Sequence, residues 1–358
     1  MSKIYERIGK ICELLEEYSV SERILAENIE WQGADYGAGA IPEEGWKPFP
    51  RGARWGGKPD SHCWFRFSAQ LPESWKDCAA ELSVSTELDG WDAANPQFLV
   101  YADGKIRQGM DTRHTVVRWN ACEDKQAVLL AYTGYDVSKE LELKAEFRKI
   151  DAETRALLFD IRVPYETLEY SDPESLSYSQ TITALNECIN LLDLREPGSE
   201  SYRRSVAEAR RYLRRNYYDR FGGETRPTVT CVGHTHIDIA WQWPVRQTRE
   251  KARRSFATVL ELMRRYPEYK FFSSQPILYR MVKEDALELY EEIKQRVAEG
   301  RWEPEGAMWV EADCNLIGGE SMVRQIMFGK RFFKEEFGVE NHIMWLPDVF
   351  GYSAAMPQ

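Results

Sequence analysis

The sequence has few features of a nucleic-acid-binding or membrane protein. Its 47 Lys and Arg residues are outnumbered by 58 Asp and Glu residues, and the net charge of −11 excludes the basic surface that nucleic acids or anionic membranes require. No apolar run is long enough to span a membrane, and no signal-peptide core follows Met1. We therefore expect no nucleic-acid partner and no membrane partner.

The cysteines do not have the spacing of a disulfide framework or a metal site. The seven cysteines are odd in number and scattered, and no two have the CxxC spacing of zinc ribbons and redox sites. Free thiols of this kind are typical of a reducing compartment, which predicts a cytoplasmic protein. A hydrophobic content of 43%, of which aromatic residues contribute a large part, indicates packed cores rather than disorder.

The first two thirds of the chain divide into three segments by hydrophobic periodicity. Residues 1–30 carry apolar residues at helical spacing and predict an N-terminal helix. Residues 31–165 contain short alternating runs and turn signals such as Asp103-Gly104, which predict an antiparallel β-sandwich domain. Residues 170–222 regain helical spacing on both sides of a Pro-Gly break and predict a helical hairpin linker.

Strands and helices alternate in the last segment, residues 227–358. The predicted elements are, in order, a strand at 228–232, a helix at 247–265, a strand at 270–273, a helix at 277–299, a strand at 302–309, a helix at 320–337 and a strand at 342–346. Such alternation predicts a parallel sheet, so the fold class is α/β plus all-β, ending in the first part of a parallel (β/α) barrel-like catalytic domain. A closed barrel takes roughly 250 residues, and we therefore expect this domain to be truncated.

Metal-binding side chains follow the first strand of this segment. His234, His236 and Asp238 occupy alternate positions, which place side chains on one face of an extended chain. Imidazole and carboxylate groups form a typical zinc ligand set, and the carboxyl ends of parallel strands are a common place for binding sites. The pattern favours a metal-dependent enzyme over structural histidines.

Carboxylates follow two further predicted strands, at Glu311, Asp313 and Asp348. Because the ends of parallel strands meet at one face, Asp313 and Asp348 can converge on His236 and Asp238. Clustered carboxylates repel one another unless a cation neutralises them, and a bound metal ion would explain such a group. The alternative is structural: Asp348 could cap a helix, and this alternative is stronger for Glu311 and Asp313.

Three motifs of the last segment stand in a characteristic order. They are Gly-His-Thr-His-Ile-Asp-Ile-Ala-Trp (233–241), Gly-Arg-Trp-Glu-Pro-Glu-Gly-Ala-Met-Trp-Val-Glu-Ala-Asp-Cys-Asn (300–315) and Trp-Leu-Pro-Asp-Val-Phe-Gly-Tyr-Ser (345–353). Together they resemble glycoside hydrolase family 38, the retaining, metal-dependent α-mannosidases, and in particular its bacterial and cytosolic-vacuolar branch. The stretch Gln-Gly-Met-Asp-Thr-Arg-His (108–114) resembles the same branch more loosely, and its residues by themselves indicate no chemistry.

This resemblance implies roles for five residues. His236, Asp238 and Asp348 would be the metal ligands, with zinc as the cofactor, and Asp348 would also be the catalytic nucleophile. Trp241 and Phe350 would line the subsite that holds the mannose. The implied reaction is hydrolysis of terminal α-mannosidic linkages of oligosaccharides, with retention, through a covalent mannosyl-aspartate intermediate.

The resemblance also implies parts that we expect to lie beyond Gln358. They are an Asp that acts as general acid and base, and a His that is the fourth metal ligand. General acid catalysis typically contributes about 10²–10⁴-fold, so we expect this chain to be inactive as a fragment, although the complete gene product would be a mannosidase. His234 would support the metal site without ligating the metal.

Two other interpretations stay open from the sequence. A strand that ends in His-x-His also begins the metal-dependent amidohydrolase-type hydrolases, in which an activated water is the nucleophile, but that reading leaves the two Trp-containing motifs unexplained. A non-catalytic mannoside-binding protein would instead use aromatic residues of the β-sandwich, such as Trp91 or Trp119. Cobalt or manganese would also suit the ligands, and the chain could form a homo-oligomer.

Overall fold

The protein combines antiparallel sheets, a group of helices and a small parallel sheet, as a computed structural model shows for residues 3–37, 39–86, 96–111, 114–135, 139–221, 229–354 and 356. The helices are α1 (Lys3–Tyr18), α2 (Ala152–Thr167), α3 (Leu176–Asn190), α4 (Glu200–Leu213), α5 (Asp219–Phe221), α6 (Val245–Arg265), α7 (Pro276–Asp285), α8 (Leu287–Ala298) and α9 (Gly319–Phe337). The strands are β1 (Val20–Leu25), β2 (Glu30–Ala34), β3 (Lys47–Pro48), β4 (Trp55–Gly56), β5 (His62–Ser68), β6 (Ala79–Ser85), β7 (Gln97–Ala102), β8 (Lys105–Met110), β9 (Val116–Trp119), β10 (Gln126–Tyr132), β11 (Glu140–Leu141), β12 (Lys144–Ile150), β13 (Gly233–His234), β14 (Phe271–Ser273) and β15 (Trp302–Pro304).

Two antiparallel sheets face each other across a shared core. The smaller sheet has the strand order β1-β12-β6-β9, and the larger has the order β3-β2-β5-β10-β7-β8. Alternate residues of both sheets are buried between them, among them Phe65 and Leu129 of the larger sheet and Leu82 and Phe147 of the smaller. Alternation of this kind is what one buried face per sheet requires. The predicted antiparallel β-structure is confirmed.

The hairpin between β7 and β8 turns at Asp103-Gly104, as predicted. Both residues have positive φ, 46° at Asp103 and 81° at Gly104, which a two-residue type I′ turn requires. The Asp103 carboxylate also accepts hydrogen bonds from the backbone N–H groups of Lys125 and Gln126, at 2.8–3.1 Å. These bonds join the hairpin to the neighbouring strand β10.

Most tryptophans of this β-region lie in its cores. Trp55, Trp64, Trp75 and Trp119 are each 3% exposed or less. Burial of large aromatic side chains stabilises a sandwich but removes their faces from any ligand. Trp119 therefore offers no surface for a mannoside, contrary to its role in the binding-protein interpretation, and Trp91 lies outside the described residues.

Four helices, α1 to α4, form a separate core with buried residues such as Ile8, Leu157, Leu185 and Val206. Helix α2 is a correction, because it lies largely within residues 31–165, for which the sequence predicted a β-sandwich domain. Its start is marked by Asp151, whose side chain accepts a hydrogen bond from Thr154 N at 2.9 Å. This N-cap is a local signal that the strand interpretation passed over.

The last segment contains a short parallel sheet with the order β13-β14-β15. Met344 adds one parallel bridge, to Gly306, where the sequence predicted a full strand at 342–346. The described residues form no closed barrel, so the barrel stays a prediction. Helices α6 and α9 match the predicted helices, whereas the helix predicted over 277–299 is divided at Ala286, whose backbone is extended with φ −155°.

The predicted strand at 228–232 is wrong for the described part of that range. The strand β13 begins at Gly233, and Val229 and Val232 are 78% and 51% exposed. Apolar residues predict burial only where another layer covers them, and the described residues place none over these two side chains.

Helix α6 packs on the outer face of the larger antiparallel sheet. Trp64 and Leu130 of that sheet share a core with Phe256 and Leu260 of α6. This packing brings the end of β8 next to the parallel sheet. None of the helices in the described ranges has the length and apolar character needed to cross a membrane.

Candidate active site

A cleft of about 920 Å³ lies between helix α6, the end of β8 and the loops that follow β13 and β15. Its lining includes Lys251 from α6, Gly109 and Asp111 from the end of β8, and His236 and Glu311 from the two loops. Small-molecule sites have volumes of roughly 300–1,000 Å³, so this cleft is large enough for more than a single small group.

The three predicted metal ligands come together on one wall of the cleft. His236, Asp238 and Asp348 each offer one ligand atom, and these atoms all lie within 4.8 Å of one another. His236 Nε2 is 3.2 Å from Asp238 Oδ1 and 3.9 Å from Asp348 Oδ2. One imidazole nitrogen and two carboxylates at this spacing fit a divalent cation, whose charge would offset the repulsion between the carboxylates.

The backbone reaches this arrangement in a way that the sequence did not predict. His236 and Asp238 lie beyond the two-residue strand β13, so strand alternation does not explain their common direction. His234, within the strand, packs its ring 5.2 Å from the Phe272 ring and 5.4 Å from the Trp345 ring. His234 Nδ1 is 3.1 Å from the Phe272 carbonyl oxygen, and the residue lies outside the ligand cluster.

A buried threonine at the start of α6 holds the loop that carries Asp238. The Thr248 hydroxyl donates to the Asp238 carbonyl oxygen at 3.0 Å and accepts from Ala240 N at 3.1 Å and from Trp243 Nε1 at 3.2 Å. Ala240 has a positive φ of 74°, a conformation that an L-residue keeps only when its surroundings hold it. The loop is therefore fixed to α6 by one side chain.

Gln275 joins the two loops of the site. Its side-chain N–H donates to the Ile237 carbonyl oxygen at 3.0 Å, and its Oε1 accepts from Glu311 N at 3.3 Å. Gln275 is 3% exposed and has a left-handed backbone with φ 60°. The Nε2 and Oε1 atoms of its side-chain amide thus each bind one of the two loops.

Glu311 contacts His236 from the side opposite the ligand cluster. Glu311 Oε2 lies 3.1 Å from His236 Nδ1, an ion-pair contact that is poorly aligned for a hydrogen bond. The other carboxylate oxygen accepts a hydrogen bond from the Ser274 hydroxyl. Contact with Glu311 raises the pKa of His236 to about 9, with a smaller contribution from Asp238, and burial opposes the shift. A cation at Nε2 would compete with that proton.

Asp313 does not join the ligand cluster, contrary to the expected convergence. Its Oδ1 accepts a hydrogen bond from Asn315 N at 2.8 Å, and a Cβ on Gly351 would lie 2.1 Å from the same oxygen. Cys314 N donates to the Gly351 carbonyl oxygen at 3.0 Å. Asp313 therefore lies where its own loop packs against Gly351 of the loop that carries Asp348.

Trp241 and Phe350, the two predicted substrate-binding residues, both line the cleft. They are 60% and 94% exposed, which leaves their aromatic faces accessible. Trp241 stands edge-on to Trp243, with ring centroids 5.4 Å apart. No helix follows Asp348 directly, so the N-cap alternative for Asp348 does not apply.

The sequence contains no indication of the roles of Thr248 and Gln275, because hydrogen bonds to loop main-chain atoms leave no pattern of residue types. The only local signal near Gln275 is Pro276, which marks the first position of α7. A proline at this position predicts where a helix begins, but it does not reveal what the preceding side chain contacts.

Comparison with known proteins identifies relatives over most of the chain. Residues 226–358 match the family model described as glycosyl hydrolases family 38, N-terminal domain. Alpha-mannosidase G of Dictyostelium discoideum is 38% identical over 321 residues, which are 82% of this chain and 28% of that protein. Alpha-mannosidase 2C1 of Homo sapiens is 33% identical over 318 residues, which are 83% of this chain and 29% of that protein.

Other similarities are more limited. Alpha-mannosidase of Saccharomyces cerevisiae is 36% identical over 226 residues, 60% of this chain and 20% of that protein. The chain thus spans less than a third of the length of the relatives it matches. Among solved structures, a β-glucuronidase of Bacteroides uniformis aligns with 36% of this chain and 18% of its own, at 14% identity and a TM-score of 0.26, which is too low to support an argument.

Proposed function

Because the chain belongs to glycoside hydrolase family 38, we propose that the protein hydrolyses terminal α-mannosidic linkages of oligosaccharides at a metal ion held by His236, Asp238 and Asp348. The observation that carries this proposal is the cluster of these three side chains, with ligand atoms within 4.8 Å, on the wall of a cleft that also exposes Trp241 and Phe350.

Zinc is the proposed metal, because one imidazole and two carboxylates suit it. When bound, a divalent cation supplies a positive charge that can anchor sugar hydroxyl groups and stabilise negative charge. His236 contributes Nε2 to this site, while its Nδ1 is directed to Glu311. Asp238 is held by the bond from Thr248 to its carbonyl oxygen.

Asp348 is the proposed nucleophile. Its side chain is 64% exposed to the cleft, so it can reach a sugar as well as the cluster. A carboxylate oxygen of Asp348 would form a bond to the anomeric carbon as the bond to the leaving oxygen breaks. Water would then cleave this mannosyl-aspartate, and two inversions give retention of configuration. Among the described residues we assign no group that protonates the leaving oxygen.

Trp241 and Phe350 would contact the mannose whose linkage is cleaved. Their exposed rings lie in the same cleft as the cluster and offer apolar surface to the C–H faces of a pyranose. We also propose that the parallel strands β13 to β15 belong to a (β/α) barrel-like domain. The unpaired cysteines support a cytoplasmic location.

The test is hydrolysis of an aryl α-mannoside by the protein expressed from the complete reading frame that encodes these residues, with and without a chelator. NMR of the first-formed product is expected to show α-mannose, and the chelator is expected to stop its release until zinc is restored. Asp348→Asn is expected to abolish turnover. Asp219→Asn, at a surface ion pair with Arg214, is the matched control and should leave turnover unchanged.

Two results would contradict the proposal. Zinc-loaded protein that releases no mannose would make the amidohydrolase-type reaction the better explanation of the cluster. Mannoside binding that persists unchanged in the chelated protein, without turnover, would instead indicate a binding protein.

A further inference from the structure

Four described residues of the polar stretch 108–114, for which the sequence indicated no chemistry, line the cleft: Gly109, Met110, Asp111 and His114. Asp111 and His114 line the same cavity as His236 and Asp348, although they follow strand β8 of the antiparallel sheet. The Asp111 carboxylate accepts a hydrogen bond from His114 N at 2.8 Å, and its Oδ1 is 3.0 Å from His114 Nδ1. Their side chains are 36% and 68% exposed. The antiparallel sheet thus contributes polar side chains to the cleft that contains the His236, Asp238 and Asp348 cluster.

The end of β8 is held rigidly against α6. Gly109 N donates to the Thr258 hydroxyl at 3.2 Å, which joins β8 directly to the helix. A Cβ on Gly109 would lie 2.7 Å from Arg254 Cβ and 2.8 Å from Arg254 O, a distance that no side chain tolerates. The absence of a side chain at Gly109 therefore allows β8 to lie directly on α6, and this fixes Asp111 relative to the cluster.

Lys251 of α6 lines the same cleft. Its Nζ is 4.1 Å from the centroid of the Trp243 ring, and within the described part of the chain Lys251 makes no ion pair and donates no hydrogen bond. Burial and then the neighbouring Arg254 lower the pKa of Lys251 to about 8, and the carboxylates of Asp238 and Asp111 oppose the shift. A partly buried ammonium with unused donors is suited to a hydrogen-bonding ligand.

We propose that Asp111, His114 and Lys251 form a binding subsite for the sugar residue that adjoins the mannose held at the metal cluster. The inference rests on the proposed function and extends it to the recognition of a second sugar. The site offers carboxylate and imidazole acceptors and an ammonium donor, which are the partners that neutral hydroxyl groups need, and Trp243 adds an aromatic ring to the same cleft.

The charges favour a neutral sugar over an anionic one. Asp111, Asp238 and Asp348 line the same cleft as Lys251, and the charges of Asp111 and Asp238 both act on the Lys251 ammonium. An anionic group bound to Lys251 would meet the repulsion of these carboxylates, whereas hydroxyl groups can donate to the carboxylates and accept from the ammonium.

The test compares two substrates of the protein expressed from the complete reading frame. An α-mannobiose places a second sugar in the cleft, whereas α-mannosyl fluoride has a single atom as its leaving group and cannot fill the subsite. The variants are Lys251→Met and His114→Gln. The second replaces a largely exposed side chain, so it leaves packing intact. Lys294→Met is the matched control, because Lys294 also lies near an aromatic ring, 6.0 Å from Tyr290, but on α8.

Lys251→Met is expected to lower the ratio of kcat/KM for mannobiose to kcat/KM for the fluoride by about 10-fold, the effect of losing a hydrogen bond to a charged group, and His114→Gln by about 3-fold or more, the effect of losing one to a neutral group. The control should keep the wild-type ratio. A ratio unchanged in both variants, with the fluoride still hydrolysed, would overturn the subsite while leaving the proposed function in place. Wild-type protein that hydrolyses neither substrate would overturn both proposals.

Discussion

The imidazole Nδ1 of His236 lies 3.1 Å from Oε2 of Glu311, a carboxylate whose side chain is only 3% exposed. This contact leaves His236 Nε2 directed toward Asp238 and Asp348. A carboxylate behind a metal-binding histidine fixes the tautomer and the direction of the ring. The Ser274 hydroxyl donates a hydrogen bond to the second oxygen of Glu311, so the orientation of His236 depends on two side chains that are remote from it in sequence.

Glu311→Gln is therefore expected to weaken zinc binding at the proposed site by about 10–100-fold, because the amide cannot supply the negative charge behind the imidazole. Competition titration with a chromophoric chelator measures the change. Glu320→Gln serves as the control, since Glu320 is 75% exposed at the start of α9 and should leave zinc affinity unaltered. Equal affinity in wild type and Glu311→Gln would show that the contact does not orient the ligand.

Gln275→Ala is expected to loosen both loops of the site. It removes the donor to the Ile237 carbonyl oxygen and the acceptor for Glu311 N, and two buried main-chain groups lose their partners. We expect the free energy of unfolding to fall by about 1–3 kcal/mol for each group left unsatisfied. Urea denaturation measures that loss, and zinc titration should show weaker binding in the folded variant. Wild-type stability in the variant would mean that water or another side chain replaces the amide.

A buried contact between a histidine and a glutamate joins the antiparallel sheet to α6 and is expected to stabilise the fold. His62 Nε2 lies 2.9 Å from Glu250 Oε2, with side chains 2% and 4% exposed. Glu250→Ala leaves the buried His62 Nε2 without this partner, and a buried polar group left unsatisfied typically costs about 1–3 kcal/mol. Glu284→Ala removes a half-exposed carboxylate from Arg249 and should cost only about 0–1 kcal/mol.

The effect of Glu250→Ala should depend on pH. Burial raises the pKa of Glu250, but contacts with His62 and Arg254 outweigh it, and the pKa in the folded protein lies below the ordinary value. The ionised Glu250 carboxylate therefore makes its full contribution to the free energy of unfolding above the pKa of an unfolded glutamate, about 4.3. This contribution is lost as the pH falls through the pKa of Glu250 in the folded protein. Urea denaturation should show a smaller difference in the free energy of unfolding between Glu250→Ala and wild type below pH 4 than at pH 7. A constant difference would mean that the charge of Glu250 does not stabilise the fold.

Gly109→Ala is expected to force β8 away from α6, because its Cβ would overlap Arg254. Overpacking of this kind typically costs about 1–3 kcal/mol in the free energy of unfolding. Gly33→Ala is the matched control, another glycine in a strand with no atom within 4 Å of an added Cβ. Equal stability of the two variants would show that the contact between the sheet and the helix adapts to a side chain.

Local patterns predicted most of the regular elements. Helical spacing predicted α6 and α9 with bounds close to those observed, and the Asp103-Gly104 turn predicted the hairpin between β7 and β8. The errors arose where two local signals compete. Residues 152–167 contain β-branched and aromatic residues that resemble a strand, but the Asp151 cap begins a helix whose apolar side packs against α1.

The candidate site was predicted in composition but not in detail. His236, Asp238 and Asp348 were recognisable because metal-binding side chains follow successive predicted strands, and the fold brings them together. Asp313 has the same residue type and a similar position, yet it contacts Gly351 instead. Residue type and spacing do not show whether Asp313 or Asp348 joins the cluster. The direction of each carboxylate depends on how the two loops that carry them pack against each other.

The sequence by itself determined the antiparallel β-structure, helices α6 and α9 and the hairpin turn, since these depend on the periodicity and turn signals of residues close together in the chain. It also determined which side chains can bind a metal ion. Only the tertiary structure decided that Glu311 supports His236, that Gln275 joins two loops, and that Asp111 of the antiparallel sheet lies in the same cleft. These relationships join residues far apart in sequence, and they exist only because the packing of α6 against the antiparallel sheet and the parallel strands brings those residues together.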